Sequence, residues 1–234
     1  MDSDQLQALA NGVETTVDFD NGRGDLTLIV KYKFDERVYE HEEVQGPEQV
    51  HEPEEAHENE DAHDNEDSLE HDDVTFAAFK VSSTAMIRAS PFWEKVFLGP
   101  WAESQPGHSK ILNYTEDDPK SLEILLNTIH LRFNRVPQVL TLEVLASMAV
   151  LTDKFRATSV VGPWMNRWVE ALKGTLHTDG SETEWIWISW EYGFEDIFDI
   201  AYRRLCINMA IDGMGVPSTS GTLPPTVEGN YPLN

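Results

Sequence analysis

Phe79-Lys80-Val81-Ser82-Ser83-Thr84-Ala85-Met86-Ile87-Arg88-Ala89-Ser90-Pro91-Phe92-Trp93-Glu94-Lys95-Val96-Phe97 decides the fold. Phe79 and Val81 fall on one side of an extended segment, because strand side chains alternate. Ser82 or Ser83 can cap a following helix, since a hydroxyl accepts from an orphan amide. Ser90 caps a second helix, with Pro91 at the first position, where no amide is needed. Phe92, Val96 and Phe97 form an apolar stripe, and Gly99-Pro100 stops it. The stretch therefore predicts strand, short helix, short helix.

Working outward, Asn21-Gly22-Arg23-Gly24 is a turn signal, and Asp25 to Val30 is rich in β-branched residues and reads as a strand that Lys31-Tyr32-Lys33-Phe34 extends. Upstream, residues 1–20 are polar and loose, with Leu6, Ala8 and Leu9 making one helical turn. Val74 to Val81 resumes the sheet, residues 101–110 are loop, and Lys110 to Tyr114 is a short strand. Asp118 and Pro119 open a helix with Leu122, Leu125, Leu126 and Ile129 at helical spacing. Thr141 caps the next, with Leu142, Leu145, Ala146, Ala149 and Val150 on one face. Another helix runs from about Ser159 through Val161, Trp164, Met165, Trp168 and Leu172 and ends at Gly174. Trp185 to Trp190 is apolar on all sides, so periodicity leaves helix and strand both open. Phe194, Ile197, Phe198, Ala201 and Leu205 make the last stripe, with Arg203 and Arg204 suited to the negative helix end.

The first stretch resembles the centre of a BTB/POZ domain, a family reading F-x-V-H-K-x-x-L-x-x-x-S-x-x-F. Phe79, Val81, Ser90 and Trp93 occupy its places, and Ser82-Ser83 stands where the His-Lys pair is usual. Gly24 to Leu28 is similar to the first core strand of the family. Glu116-Asp117-Asp118-Pro119, Leu122 to Leu126 and His130 resemble fungal members in particular. The resemblance implies an α+β fold, a small sheet covered by helices. It covers about residues 24–34 and 74–210, which divides the chain into an N-terminal segment 1–23, a BTB/POZ-like domain 24–172 and a C-terminal helical extension 173–211; residues 212–234, mostly Gly, Pro, Ser and Thr, are expected to form a disordered tail. The resemblance also favours helix for Trp185 to Trp190, and reads residues 35–73 as an insertion into a hairpin.

Charge is concentrated in that insertion. Residues 35–73 carry 18 Asp or Glu and one Arg, net −17, of a chain total of −25; the remainder holds 24 acids and 16 bases, net −8. Such a tract cannot bury enough apolar surface to offset chain ordering, and disorder is expected. A long insertion is tolerated because loop closure costs grow only logarithmically with length. Nothing clusters Lys and Arg as phosphate-backbone binding needs, so no nucleic-acid partner is expected. No apolar run approaches the roughly 18 residues of a membrane span, so no membrane partner is expected either. Met1-Asp2-Ser3-Asp4 lacks the basic-then-apolar pattern of a secretion signal. With one cysteine, Cys206, no intrachain disulfide forms, which suits a reducing compartment, cytoplasmic or nuclear.

Chemistry is sparse. Cys206 sits between Leu205 and Ile207 and reads as a packed thiol. No phosphate-cradling glycine loop, G-x-S-x-G or H-E-x-x-H occurs, so no enzyme and no cofactor are expected. In the acidic tract His51, His57 and His63 alternate with carboxylates, a mixture that takes divalent metal. Their spacing of six is not that of a closed zinc site, and solvated disorder is the better reading, since composition alone yields such clusters. The seven tryptophans read mostly as core, Trp101 excepted. The resemblance implies that Trp101-Ala102-Glu103 matches the apolar-x-Glu triplet by which BTB adaptors contact a cullin ubiquitin-ligase scaffold, with Trp101 and Glu103 as partner-binding residues. It also implies self-association through the first strand and helix. The Ser82-Ser83 pair removes positive charge from the pocket that receives corepressor peptides in BTB transcription factors. The expected function is thus a non-enzymatic protein–protein interaction module. Two alternatives stand beside it, a cullin adaptor and an acidic His-rich tract that binds metal or mimics charge.

Overall fold

A computed structural model describes residues 3–13, 15–32, 75–100, 110–178, 180–208, 210–211, 217–218 and 223–224. The elements in chain order are α1 (Ser3–Gly12), β1 (Thr15–Asp18), β2 (Leu26–Tyr32), β3 (Thr75–Val81), α2 (Ser83–Ala89), α3 (Pro91–Leu98) and β4 (Ile111–Asn113). There follow α4 (Pro119–Ile129), α5 (Leu142–Lys154), α6 (Thr158–Leu172), α7 (Glu182–Tyr192), α8 (Glu195–Asn208), β5 (Ala210–Ile211) and β6 (Pro217–Ser218). The fold is α+β: a small mixed sheet of order β1-β3-β2-β4, with helices packed on it.

β2 and β3 pair antiparallel in unbroken register, from Leu26 opposite Val81 to Tyr32 opposite Thr75. The two strands flanking the acidic tract are therefore neighbours. β4 lies parallel to β2 on its other side. Leu26, Leu28, Ile29 and Val30 are all buried, so β2 is covered on both faces, as a central strand rich in aliphatic side chains should be. At the turn into β2 the Asp25 amide donates to the Val81 carbonyl. A Cβ on Gly24 would lie 3.0 Å from the Val81 nitrogen and 3.1 Å from its carbonyl oxygen, so this close backbone approach needs glycine.

Two N-terminal features differ from the sequence expectation. Residues 3–12 form a full helix, not one turn, and it packs on β4 and β2. Thr15–Asp18 is a strand, parallel to β3 with Thr15 opposite Ala77. Neither has a strong local signal; each is held by what it lies against, and short helices need such packing.

The caps follow the sequence. Ser82 Oγ accepts from the Ala85 amide, Asp118 Oδ2 from Ser121 and Thr141 Oγ1 from Val144. Ser90, only 2 % exposed, accepts from the Phe92 amide at 3.0 Å, and its hydroxyl donates to the Phe155 carbonyl. One hydroxyl thus starts α3 and ties it to the end of α5. Ser90→Ala is expected to cost about 1–2 kcal/mol, a cap plus a buried hydrogen bond. Urea titration checks it, through a lower midpoint at unchanged slope; a loss under about 0.5 kcal/mol would contradict the double role.

Trp93, Tyr114 and Phe155 form the joint between α3, the sheet and α5. Trp93 stacks on Phe155 with centroids 5.0 Å apart, Tyr114 lies 5.4 Å from the same ring, and the Trp93 indole N–H donates to the Tyr114 hydroxyl at 3.0 Å. From there one core runs without a break to Trp185, Ile186 and Ile188 of α7 and Ile197, Ala201 and Leu205 of α8. Trp185 to Trp190 is helical, and α7 ends at Gly193, whose φ of 76° closes the helix in the left-handed region. A 3-10 helix, Lys173–His177, follows α6, so Gly174 continues the chain's winding where a stop was expected.

Cys206 departs from its expected place: the thiol is exposed. The buried positions on α8 are Ile197, Ala201 and Leu205, four apart, and Cys206 stands about 100° round the helix from that stripe. Of the residues expected as a disordered tail, 212–234, most lie outside the described residues. Pro217–Ser218 pairs with Ala210–Ile211, and Leu223 is 3 % exposed in the core.

Candidate interaction surfaces

The turn into β2 and the start of α2 meet in a polar corner. Asp25 Oδ1 accepts from the Ser83 amide and Oδ2 from the Ser83 hydroxyl, both at 2.7 Å, and Lys110 Nζ lies 3.4 Å from Oδ2. Burial pushes the Asp25 carboxyl up, but the Ser83 amide, the Ser83 hydroxyl and Lys110 together hold it below its ordinary value. The corner is exposed, so the Lys110 contact adds little stability. Ser82-Ser83 is consumed in this geometry: Ser83 binds Asp25, and the Ser82 amide donates to His130 Nε2 at 2.9 Å.

His130 is the residue whose role sequence reading missed, since it entered there only as part of a wording. Its Nδ1 lies 2.8 Å from the Leu126 carbonyl. One ring nitrogen meets a donor and the other an acceptor, which assigns the neutral Nδ1–H tautomer. Burial holds the ring below its ordinary 6.5; the Leu126 bond, Asp20 and Asp18 oppose this and Arg132 adds to it. Protonating Nε2 would set two donors against each other. Below 6.5 the unfolded chain binds the proton before the folded one does, so stability falls as pH drops from 6.5 toward the folded value. Half-buried Glu123 and Glu191, both raised by partial burial, act with the opposite sign, losing stability as pH rises above their ordinary 4.5. The His130 contribution is therefore read as a difference. His130→Gln is expected to lose less stability than the wild type between about pH 7 and 5.5. Parallel denaturation curves at the two pH values check this, and identical losses would contradict the assigned tautomer.

The outer edge of β1 is partly closed. The Phe19 amide donates to Lys80 of β3, so in a parallel ladder the Asp18 carbonyl turns outward. Arg132 Nη1 donates to that carbonyl at 2.8 Å, and its guanidinium stands 5.4 Å from the Phe19 ring centroid. An added strand would have to displace this arginine, one way in which edges are protected.

Beyond His130 the chain turns through Leu131, which has φ 60° and is 73 % exposed. Phe133, half exposed, lies 5.4 Å from Trp164, which stacks on the fully buried Trp168 at 6.3 Å. An aromatic ladder thus runs from surface to core. Exposed apolar groups of this kind suit a protein contact better than catalysis.

Trp101 and Glu103, and His51, His57 and His63, lie outside the described residues. Among the described residues no group of three or more His, Cys, Asp or Glu is placed to hold a metal ion, and no helix is long and apolar enough to cross a membrane. No protein-family model matches the chain, and no curated protein matches it. The functional reading therefore stands on geometry and residue chemistry.

Proposed function

We propose that this chain is a protein-interaction module of the BTB/POZ type, a scaffold that works by binding partners in the cytoplasm or nucleus and not by catalysis. The observation that carries the reading is the β2–β3 pairing. Seven residues on each side of the acidic tract meet in register, and the chain then runs through the Ser82- and Ser90-capped helix pair into β4, parallel to β2. That order of strand, strand, two short helices and strand is what the Phe79–Phe97 resemblance implies. The polar corner at Asp25, Ser83 and His130 supports it by locking the helix pair to the sheet. Exposed Leu131 and Phe133 supply apolar contact area.

The test is affinity capture with three full-length or near full-length chains: wild type, a deletion of residues 35–73, and Phe79→Asp, which buries a charge in the sheet. Partners shared by the first two and lost from the third support the module. Partners lost with the tract alone would transfer the function to the acidic residues and overturn the reading.

A further inference from the structure

A cleft of about 700 Å³ opens between the end of α6, the 3-10 helix Lys173–His177 and the first turns of α8. That volume is in the range of sites that take several apolar side chains or a small ligand. Its floor is apolar: Val169, Leu176 and Ile197 are buried, Phe194 is half-buried, and Ile200 is 37 % exposed. Its rim is acidic. Glu170, Glu195 and Asp196 stand exposed around it beside Lys173 and His177; Lys173 is paired to Glu170 at 2.5 Å, which leaves the Glu195 and Asp196 carboxylates in excess. Glu195 also borders a second recess, of about 370 Å³, lined by Trp190, Phe198 and Asp199. The two recesses thus share Gly193 and the Glu195 carboxylate at the start of α8.

The geometry points to a peptide-docking site for a cationic amphipathic segment, with aliphatic or aromatic side chains entering the cleft and Lys or Arg meeting Glu195 and Asp196. Charge complementarity selects this occupant. The chain's own acidic tract, with 18 carboxylates and one Arg over residues 35–73, would meet like charge at the rim. A second copy, at net −25, approaches against the same repulsion. The inference rests on the interaction-module reading and adds to it where a partner docks and what it carries.

The probe is a labelled synthetic helical peptide with Leu on one face and Lys on the other. Its control has the same lysines with Ser in place of Leu. Binding to the full chain is followed by anisotropy. Ile200→Lys is the main variant, since a partly exposed side chain can change without unfolding the core; Glu195→Gln with Asp196→Asn removes the rim charge. The Leu/Lys peptide is expected to bind wild type with a salt-sensitive affinity. That affinity should fall about tenfold or more in Ile200→Lys and about threefold or more in the rim variant. The Ser/Lys control should bind more weakly than the Leu/Lys peptide to wild type. Equal binding of the two peptides, or binding untouched by Ile200→Lys, would assign the attraction to net charge and overturn the proposal. A dimer of the free chain that Ile200→Lys converts to monomer would give the cleft to a second copy, also overturning it. In either case partners captured through the folded unit would leave the interaction-module reading standing, so the two failures are separable.

Discussion

Trp93→Ala is expected to destabilise the protein by about 4 kcal/mol, the scale for deleting a fully buried aromatic side chain. Trp93 is 0 % exposed and joins three elements at once, through the stack on Phe155, the hydrogen bond to Tyr114 and the backbone of α3. The cavity would open where the sheet meets α5, and neither strand nor helix can collapse into it without giving up its own pairing. Native domains hold only about 5–15 kcal/mol in total, so this one change removes a large share. Trp93→Phe separates the parts. It keeps an aromatic partner for Phe155 and loses the indole N–H, for an expected cost of about 1–2 kcal/mol. Urea unfolding followed by circular dichroism measures both. A loss below about 1 kcal/mol for the alanine variant would mean that this joint is not the centre of the core.

The second large effect concerns the attachment of α8. Glu182 is 6 % exposed, and its carboxylate accepts from the Gly180 amide at 2.9 Å, from Asn208 Nδ2 at 2.9 Å and from Arg204 Nη2 at 3.5 Å. The start of α7 is thereby fastened to the end of α8. Removing the cation leaves a buried carboxylate with amide partners only, a situation that costs about 3–5 kcal/mol when both charges are deeply buried. The Arg204 side chain keeps 24 % of its exposure and the contact is long, so Arg204→Leu is expected at or below the bottom of that range, about 2–3 kcal/mol. Adding Glu182→Gln removes the stranded charge and should recover about 1 kcal/mol, a coupling that a double-mutant cycle reads directly. Strict additivity of the two changes would show that the contact is not a functioning pair. Because α8 also walls the α6–α8 cleft, peptide affinity should fall alongside stability in Arg204→Leu and return partly in the double variant.

These two sites differ in how far they could be foreseen. The start of the Trp93 helix, Ser90-Pro91, is written in local chemistry, and Trp93 read as core with most of the tryptophans; the stripe read there, Phe92, Val96 and Phe97, is only half-buried, and Trp93 is the buried residue of α3. Arg204 was expected to serve its own helix terminus, whereas it reaches across to Glu182, 22 residues earlier in the chain. Cys206 is a different case: the α8 stripe of Ile197, Ala201 and Leu205 was legible, and Cys206, about 100° round the helix from it, was misplaced by its apolar neighbours Leu205 and Ile207. His130 entered only through the resemblance, because the Ser82 amide that donates to its Nε2 lies 48 residues away in the chain, although the Leu126 carbonyl is one helical turn before it. The α6–α8 cleft left no trace at all, being a gap between helices that each look complete.

Local physics, acting within a few residues, determined the capped helices at Ser82, Ser90, Asp118 and Thr141, the aliphatic run of β2, and the separation of a charged tract from an apolar remainder. Caps, turns and periodicity are short-range properties, and a linear reading contains them. Tertiary structure alone decided that Thr15–Asp18 becomes a strand, that Ser3–Gly12 stays helical, that Arg132 closes a sheet edge and that acids ring an apolar cleft. Each of these depends on a partner distant in the chain, whose position is set only when the core around Trp93 and Phe155 closes.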